Sequence, residues 1–252
     1  MLSNMDLKNE LGTHIGLYPF DGRNIEGASI YFTASDYAWS LKTKQSAVTG
    51  SKIKIGVNDA TIIFTKETIT IDRHFAGICL ARVSHTVKGL SSSGTPIKPG
   101  WTGRLTIVLQ NNSNENQEID VGDTIAVVML DKLKRTATFS DEKGGGGRFD
   151  LLTSQGIQIT EDARRNLNQR HFTNRADILK EMKEDESFKK YMKRIQFDSW
   201  FLLIGFVFLV TAIEMGFLIF TYWNTKQIDG FVALLFAPTL SFLSMLVSKR
   251  IS

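Results

Sequence analysis

The sequence predicts a mainly β fold, a barrel followed by a helical linker and two transmembrane helices. Three observations carry this. Short segments rich in Val, Ile, Thr and Phe recur between turn residues up to about position 140, the composition turns helical at Thr160, and two apolar runs follow. A chain of 252 residues has room for one sizeable domain and something smaller.

The strand-like segments are Ala28–Phe32, Ile53–Val57, Ala60–Phe64, Glu67–Ile71, Ile78–Val83, Leu105–Gln110 and Thr124–Leu130. Between them stand Asn58-Asp59, the Ser91–Gly94 cluster, Pro99-Gly100, the polar run Asn111–Gln117 and Gly122-Asp123. Many short strands with turn signals at this spacing indicate a barrel or sandwich over 1–140. Only the stretch around Leu7–Leu11 reads as helix there. Residues 141–159 form a glycine-rich loop or linker around Gly144–Gly147. Its functional reading is a flap over phosphate, its plain reading a connection. Residues 160–198 form a helical linker: Thr160 is an N-cap with Glu161 and Asp162 in the first turn, and Thr173 caps a second helix to about Gln196. Ile178, Met182, Phe188, Met192 and Ile195 give that helix a partial apolar stripe.

The first apolar run, within 199–223, has Glu214 as its only charge and aromatic Trp200, Tyr222 and Trp223 at its ends. At ~1.5 Å per residue it is long enough for a ~30 Å hydrocarbon layer. The second, within 230–248, contains Pro238 and no charge up to Val247. Lys189, Lys190, Lys193 and Arg194 precede the pair, and Lys249 and Arg250 follow it. The positive-inside rule therefore expects an inner-membrane protein of two spans with both termini cytoplasmic. A carboxylate such as Glu214 costs roughly 2.5–3.5 kcal/mol at mid-span, so it is expected to face a helix partner or water.

Other functions are disfavoured. Lys and Arg number 30 against 26 acidic residues, too mild a balance for a nucleic-acid binder. The lone Cys79 excludes a disulfide scaffold. His14, His74, His85 and His171 show no metal-ligand spacing, so neither metal nor cofactor is expected. Walker, GxSxG, HExxH and CxxC sequences are missing. Ser84-His85, read as a strand, point to opposite faces and make a poor nucleophile–base pair.

Four stretches in register resemble the dCTP deaminase and dUTPase superfamily. They are Ile25-Glu-Gly-Ala-Ser-Ile-Tyr-Phe; Thr65–Asp72 followed by Ala76–Ser84; Ile97-Lys-Pro-Gly-Trp-Thr-Gly-Arg-Leu-Thr-Ile-Val-Leu-Gln-Asn; and Val121-Gly-Asp-Thr-Ile-Ala. The resemblance implies a trimeric β-barrel that acts on pyrimidine deoxynucleotides. It also implies a general-base glutamate after "PGWxG", where this chain has Val108, and an aspartate before "PGW", where it has Lys98. The first serine of the family's "GRSS" is Val83, its downstream arginine Val87, and the aspartate of "SxDLRLG" is Tyr31. Without a proton acceptor the family reaction fails, and a pseudoenzyme is expected.

A nucleotide pocket is what the resemblance leaves. Arg82 and Ser84 stand where the family binds triphosphate, Ser92 and Thr95 belong to the adjoining loop, Lys98 adds a cation at the old catalytic position and Trp101 a ring. Each has a plainer alternative: Arg82 serves a barrel-end carboxylate, Lys98 is solvated, Trp101 is core. The two-span architecture is similar to the membrane effectors of bacterial nucleotide-signal antiphage systems. That analogy implies a homo-oligomeric effector on a lipid bilayer, gated by a nucleotide, such as a cyclic dinucleotide from a partner synthase. The alternative is a membrane-tethered pyrimidine dNTP hydrolase or deaminase with a rearranged site.

Overall fold

The computed structural model describes residues 1–138 and 149–194, and beyond them 209, 211–213, 216, 219, 220 and 223. It divides into two compact units, 1–192 and 193–252.

The first unit opens with α1 (Asn4–Glu10), closed at its N-terminus by a capping box between Ser3 and Asp6. In chain order follow β1 (Ile15–Tyr18), β2 (Ile25–Glu26), β3 (Ser29–Ser40), β4 (Val48–Thr49), β5 (Lys52–Ile55), β6 (Ala60–Ile71) and β7 (Phe75–Ala81). Then come α2 (Val83–Val87), β8 (Leu90–Ser91), β9 (Thr95–Ile97), β10 (Thr102–Asn111), β11 (Gln117–Asp120) and β12 (Thr124–Lys132). The larger sheet runs β8-β10-β6-β3-β12-β7-β9, with β1 added to β6 and β2 to β3; a small sheet runs β11-β5-β4. The mainly β expectation for this region holds.

β6 organises the barrel. One edge pairs with β10 along nearly its whole length. The other pairs with β3 up to Thr65 and with β1 from Thr68 onward. The partner changes at a bulge, marked by register shifts in both the β10 and β3 ladders. Two side chains repair the broken ladder. The Thr65 hydroxyl donates to the Glu67 carbonyl at 2.7 Å and accepts from the Leu105 N–H at 2.9 Å. The Glu67 carboxylate accepts from the Thr33 N–H at 2.8 Å and the Thr33 hydroxyl at 2.7 Å. Burial pushes the Glu67 carboxyl up, against the hydrogen bonds from Thr33 that pull it down. The bulge also explains why the sequence reads as two strands, Ala60–Phe64 and Glu67–Ile71. They are one strand with a kink.

Both faces of β6 are covered. Phe32, Ile63, Ile69, Ile71 and Phe75 fill the barrel interior, all fully buried. Outside, Trp39, Ile62 and Phe64 form a second cluster with Leu152, Ile157, Ala163 and Leu167. These last four come from α3 (Phe149–Ser154), α4 (Glu161–Leu167) and the turn between them. Next, α5 (Arg170–Thr173) packs against β10 and α6 (Arg175–Glu184) against β1. Ile178 and Met182 are fully buried there, and the Leu17 N–H points to Met182 Sδ at 3.2 Å. Gly16 permits the close approach: a Cβ there would stand 2.7 Å from Thr70 Cγ2 and 3.0 Å from Leu179 Cδ2. Arg175 donates to the carbonyls of Thr13 at 2.9 Å and His14 at 3.2 Å. Arg104 on β10 stacks over Phe172 with its guanidinium carbon 4.1 Å from the ring centroid.

Three expectations change. The stretch 160–198, expected as a linker, is through residue 192 part of the barrel's unit, because its apolar stripe covers sheet that would otherwise meet water. Thr160 caps α4 as expected, but the α6 cap is Asn174 rather than Thr173: its side chain accepts from Ala176 and Asp177. The segment after Ala81, read as strand to Val83, becomes α2, so Ser84 and His85 lie on a helical turn. The Gly144–Gly147 run lies outside the described residues. Among the described residues no helix is long and apolar enough to cross a membrane. The expected spans, with Trp200, Glu214 and Pro238, fall outside them except for the scattered helical positions given above, Trp223 included.

Met182→Ala tests the strap. A fully buried methionine lost from a packed element costs about 2–5 kcal/mol. On a solvated connector the same change costs under ~0.5 kcal/mol. Denaturant unfolding of the full-length chain is expected to give the larger figure.

Candidate functional site

β8 and β9 hang on different strands of the large sheet. β8 pairs with the end of β10 through Gln110↔Ser91 and Asn111↔Leu90; β9 pairs with β7 through Thr95↔Cys79 and Ile97↔Gly77. Only Ser92, Ser93 and Gly94 join them. From Ser91 to Thr95 the chain reaches at most ~14 Å, so it holds β10 and β7 close without pairing them. The space left is a slot of about 560 Å³, lined by Ala60, Cys79–Ala81, Ser91–Thr95, Thr106–Val108 and Gln110.

Strand alternation decides what the slot presents. Along β10, Leu105, Ile107 and Leu109 are buried, while Thr106, Val108 and Gln110 turn outward. Val108 is 40% exposed. Gly94 lies against β7: a Cβ there would stand 2.8 Å from Leu80 Cδ2. The far end is fixed by buried Asn111, whose amide donates to the carbonyls of Ile55, Gly56 and Glu115 and whose oxygen accepts from Ser113. Among the described residues the lining offers hydroxyls, one amide and a thiol, and no carboxylate, imidazole or cation. Along β10 the edge away from β6 is paired only at Gln110 and Asn111 among the described ladders. Backbone donors and acceptors there can meet a planar polar ligand. Burial pushes the Cys79 thiol up to about 12, which leaves it protonated at neutral pH and unfit as a nucleophile.

The predicted site residues divide. Ser92 and Thr95 line the slot. Arg82 and Ser84 are exposed on and beside α2, directly after the lining residue Ala81. Lys98 and Trp101 do not line the slot. They belong to the turn between β9 and β10, where the Trp101 N–H donates to the Lys98 carbonyl and the Gly100 N–H to the Asp72 carbonyl. The turn carries Lys98 past the end of β9, outside the lining. Trp101 packs against the barrel core, its plainer alternative. His85 is buried, with Nε2 2.9 Å from the Thr124 carbonyl.

One grouping escapes sequence spacing. His14 and Asp72, 58 residues apart, meet because β1 pairs with β6 at Ile15↔Ile71, which makes them the next pair outward. His74 follows in the turn to β7. Its N–H donates to Asp72 Oδ1 at 2.8 Å, and its Nδ1 lies 3.2 Å from Asp72 Oδ2, the oxygen that His14 Nδ1 also contacts. Burial alone would raise the Asp72 carboxyl, but the hydrogen bonds from His14 and His74 outweigh it and hold it below its ordinary value.

Residues 1–133, more than half of the chain, match the family described as dCTP deaminase-like, and the chain belongs to that family. It is similar to the dCTP deaminase of Pyrococcus horikoshii, 29% identical over 83 residues that make up 33% of this chain and 53% of that protein. The dCTP deaminase of Thermococcus kodakarensis is 32% identical over 76 residues, 30% of this chain and 49% of that one. The chain thus spans about half the length of the curated relatives it matches. Among solved structures it is similar to the 2'-deoxycytidine 5'-triphosphate deaminase of Agrobacterium tumefaciens, with a TM-score of 0.43 and 11% identity over 51% of this chain and 47% of that one. Another is the dUTPase of Staphylococcus bacteriophage 80alpha, with a TM-score of 0.37 and 11% identity over 51% and 88%.

Because Cys79 is the chain's one cysteine, thiol labelling reports on its burial in the core beside the slot. At pH 8 the native protein is expected to react with a disulfide reagent on the order of 100-fold more slowly than the denatured chain, whose thiol has an ordinary pKa near ~8.5. Comparable rates would mean that Cys79 is not buried against the barrel core.

Proposed function

We propose that the barrel is a sensing domain that holds a nucleotide in the slot without converting it and governs a membrane-embedded C-terminal hairpin. The observation that carries the reading is chemical. Val108 faces the slot where the family resemblance implies a general base, and no lining residue has a carboxylate or imidazole. A water in the slot would find no side chain to take its proton, and the protonated Cys79 is no substitute. Binding needs less. The volume falls in the ~300–1,000 Å³ range of small-molecule sites, and unpaired strand edge suits the polar rim of a base. A ligand reaching out past Ala81 would present phosphates to Arg82 and Ser84, donors that suit anionic oxygens.

The ligand class is a nucleotide, with a cyclic dinucleotide from a partner synthase as the specific proposal, in an antiphage effector of the bacterial inner membrane. Exposed Ile78, Val83 and Val87, outside the slot, favour assembly with further copies, a trimer by family resemblance. In the second unit Leu209, Ile213, Ile219, Phe220 and Trp223 are helical and 60–82% exposed, as lipid-facing side chains would be. A second reading, a membrane-tethered pyrimidine dNTP hydrolase or deaminase, is favoured by the dCTP deaminase names of the relatives.

Calorimetry on the full-length protein with cyclic dinucleotides, dCTP and dUTP tests the first reading. Val108→Trp, which grows into the slot, is expected to weaken binding roughly tenfold or more, ~1.4 kcal/mol. An unchanged Kd would remove the ligand from the slot. Release of ammonia or pyrophosphate from dCTP or dUTP with Mg²⁺ would establish the second reading instead.

The output is tested in cells. Glu214→Leu, and separately deletion of 199–252, are expected to abolish growth inhibition on expression with the ligand's source. Inhibition that persists in both rejects the effector role.

A further inference from the structure

We propose that His14, Asp72 and His74 form a binding site for one divalent transition-metal ion of the zinc class. The three come from different places: His14 from the entry to β1, Asp72 from the end of β6, His74 from the turn into β7. Their ligand atoms lie within 4.8 Å of one another. Tetrahedral zinc with ~2.0–2.1 Å bonds asks for ligand separations of about 3.3 Å, so small side-chain rotations close the set. Two imidazole nitrogens and one carboxylate oxygen are donors suited to zinc, and to iron in its two-histidine, one-carboxylate form.

The surroundings orient these donors. Asp72 Oδ1 is held by the His74 N–H, which leaves Oδ2 for the ion. Both imidazoles turn Nδ1 toward that oxygen, with ring centroids 5.8 Å apart and planes at 76°. The other nitrogen of His14, Nε2, lies 3.9 Å from Glu10 Oε2, from which a side-chain rotation would make the carboxylate–histidine pairing that supports metal ligands. Lys132 occupies the second Glu10 oxygen at 2.8 Å, and Arg175 is engaged with the carbonyls of Thr13 and His14. The imidazole side chains of His14 and His74 are 46% and 48% exposed, so an ion can enter and keep water in its remaining positions.

This site is separate from the slot. None of the three residues lines it, and His74 stands five residues before Cys79, the first lining residue of β7, ~17 Å along the strand. An ion there would join the start of β1 to the β6–β7 turn. It would also brace the turn at 98–101, which Asp72 holds through its carbonyl. Its role is that of a structural clip.

The test uses full-length protein stripped with a chelator and titrated with Zn²⁺. One equivalent per chain is expected, with a raised Tm. His74→Gln and His14→Gln/His74→Gln are expected to weaken binding about 100-fold or more and to lose the Tm shift, and Glu10→Gln to weaken it about tenfold. Cu²⁺ in the wild type is expected to show EPR hyperfine structure from two imidazole nitrogens, a readout independent of whether variants fold. Equal affinity in wild type and double variant, no binding below ~100 µM, or a Cu²⁺ spectrum without two nitrogens would each overturn the site and leave a hydrogen-bonded His–Asp–His cluster.

Discussion

A single strand has to satisfy three partners, and the barrel depends on how it does so. β6 serves β10 on one edge but changes from β3 to β1 on the other, and a backbone that changes partners leaves amide groups without mates. In a buried strand each such group costs about 1–3 kcal/mol if unmatched. Thr65 and Glu67 prevent this. The Thr65 hydroxyl stands in for a missing carbonyl opposite Leu105, and the Glu67 carboxylate receives the Thr33 N–H where β3 departs. A glutamate is a demanding choice for an interior, because its charge is poorly solvated; its two oxygens answer both Thr33 donors at once.

Covering the outer face of that strand then becomes the task of the chain after the barrel. Trp39, Ile62 and Phe64 would form an apolar patch in water, and the short helices beyond residue 149 close over them. This is where sequence reading and structure part. The strands were legible because alternating Val, Ile and Thr between turn residues is a local signal. The destination of Ile178 and Met182 was not. A partial apolar stripe on a charged helix says that something is covered, and only the fold says that it is β1, approached through the missing side chain of Gly16. The bulge is hidden for a related reason: Thr65-Lys66 reads as a gap between two strands when the hydroxyl that mends the ladder beside it cannot be seen.

The slot was half legible. Strand alternation after Gly103 is a matter of counting, and the structure turns Val108 outward into the cavity. Lys98 is not among the lining residues because a tight turn follows Ile97, and residues adjacent in a motif then leave the cavity within a few steps. Arg82 is near the slot in sequence, yet the chain coils into α2 and carries it to the surface. The histidine pair shows the converse. Spacing along the chain held no hint of it, because it is created by the antiparallel register of β1 against β6.

The three residues from Ser92 to Gly94 bridge the barrel's open seam at one end, as the turn at 98–101 does at the other. They set the gauge of the opening much as a buckle sets a strap. Each added residue would let the two rims drift apart by up to ~3.5 Å without breaking a ladder bond. Relatives with a longer buckle could therefore admit bulkier guests on an unaltered scaffold. Change of ligand in this fold need not wait for change in its strands.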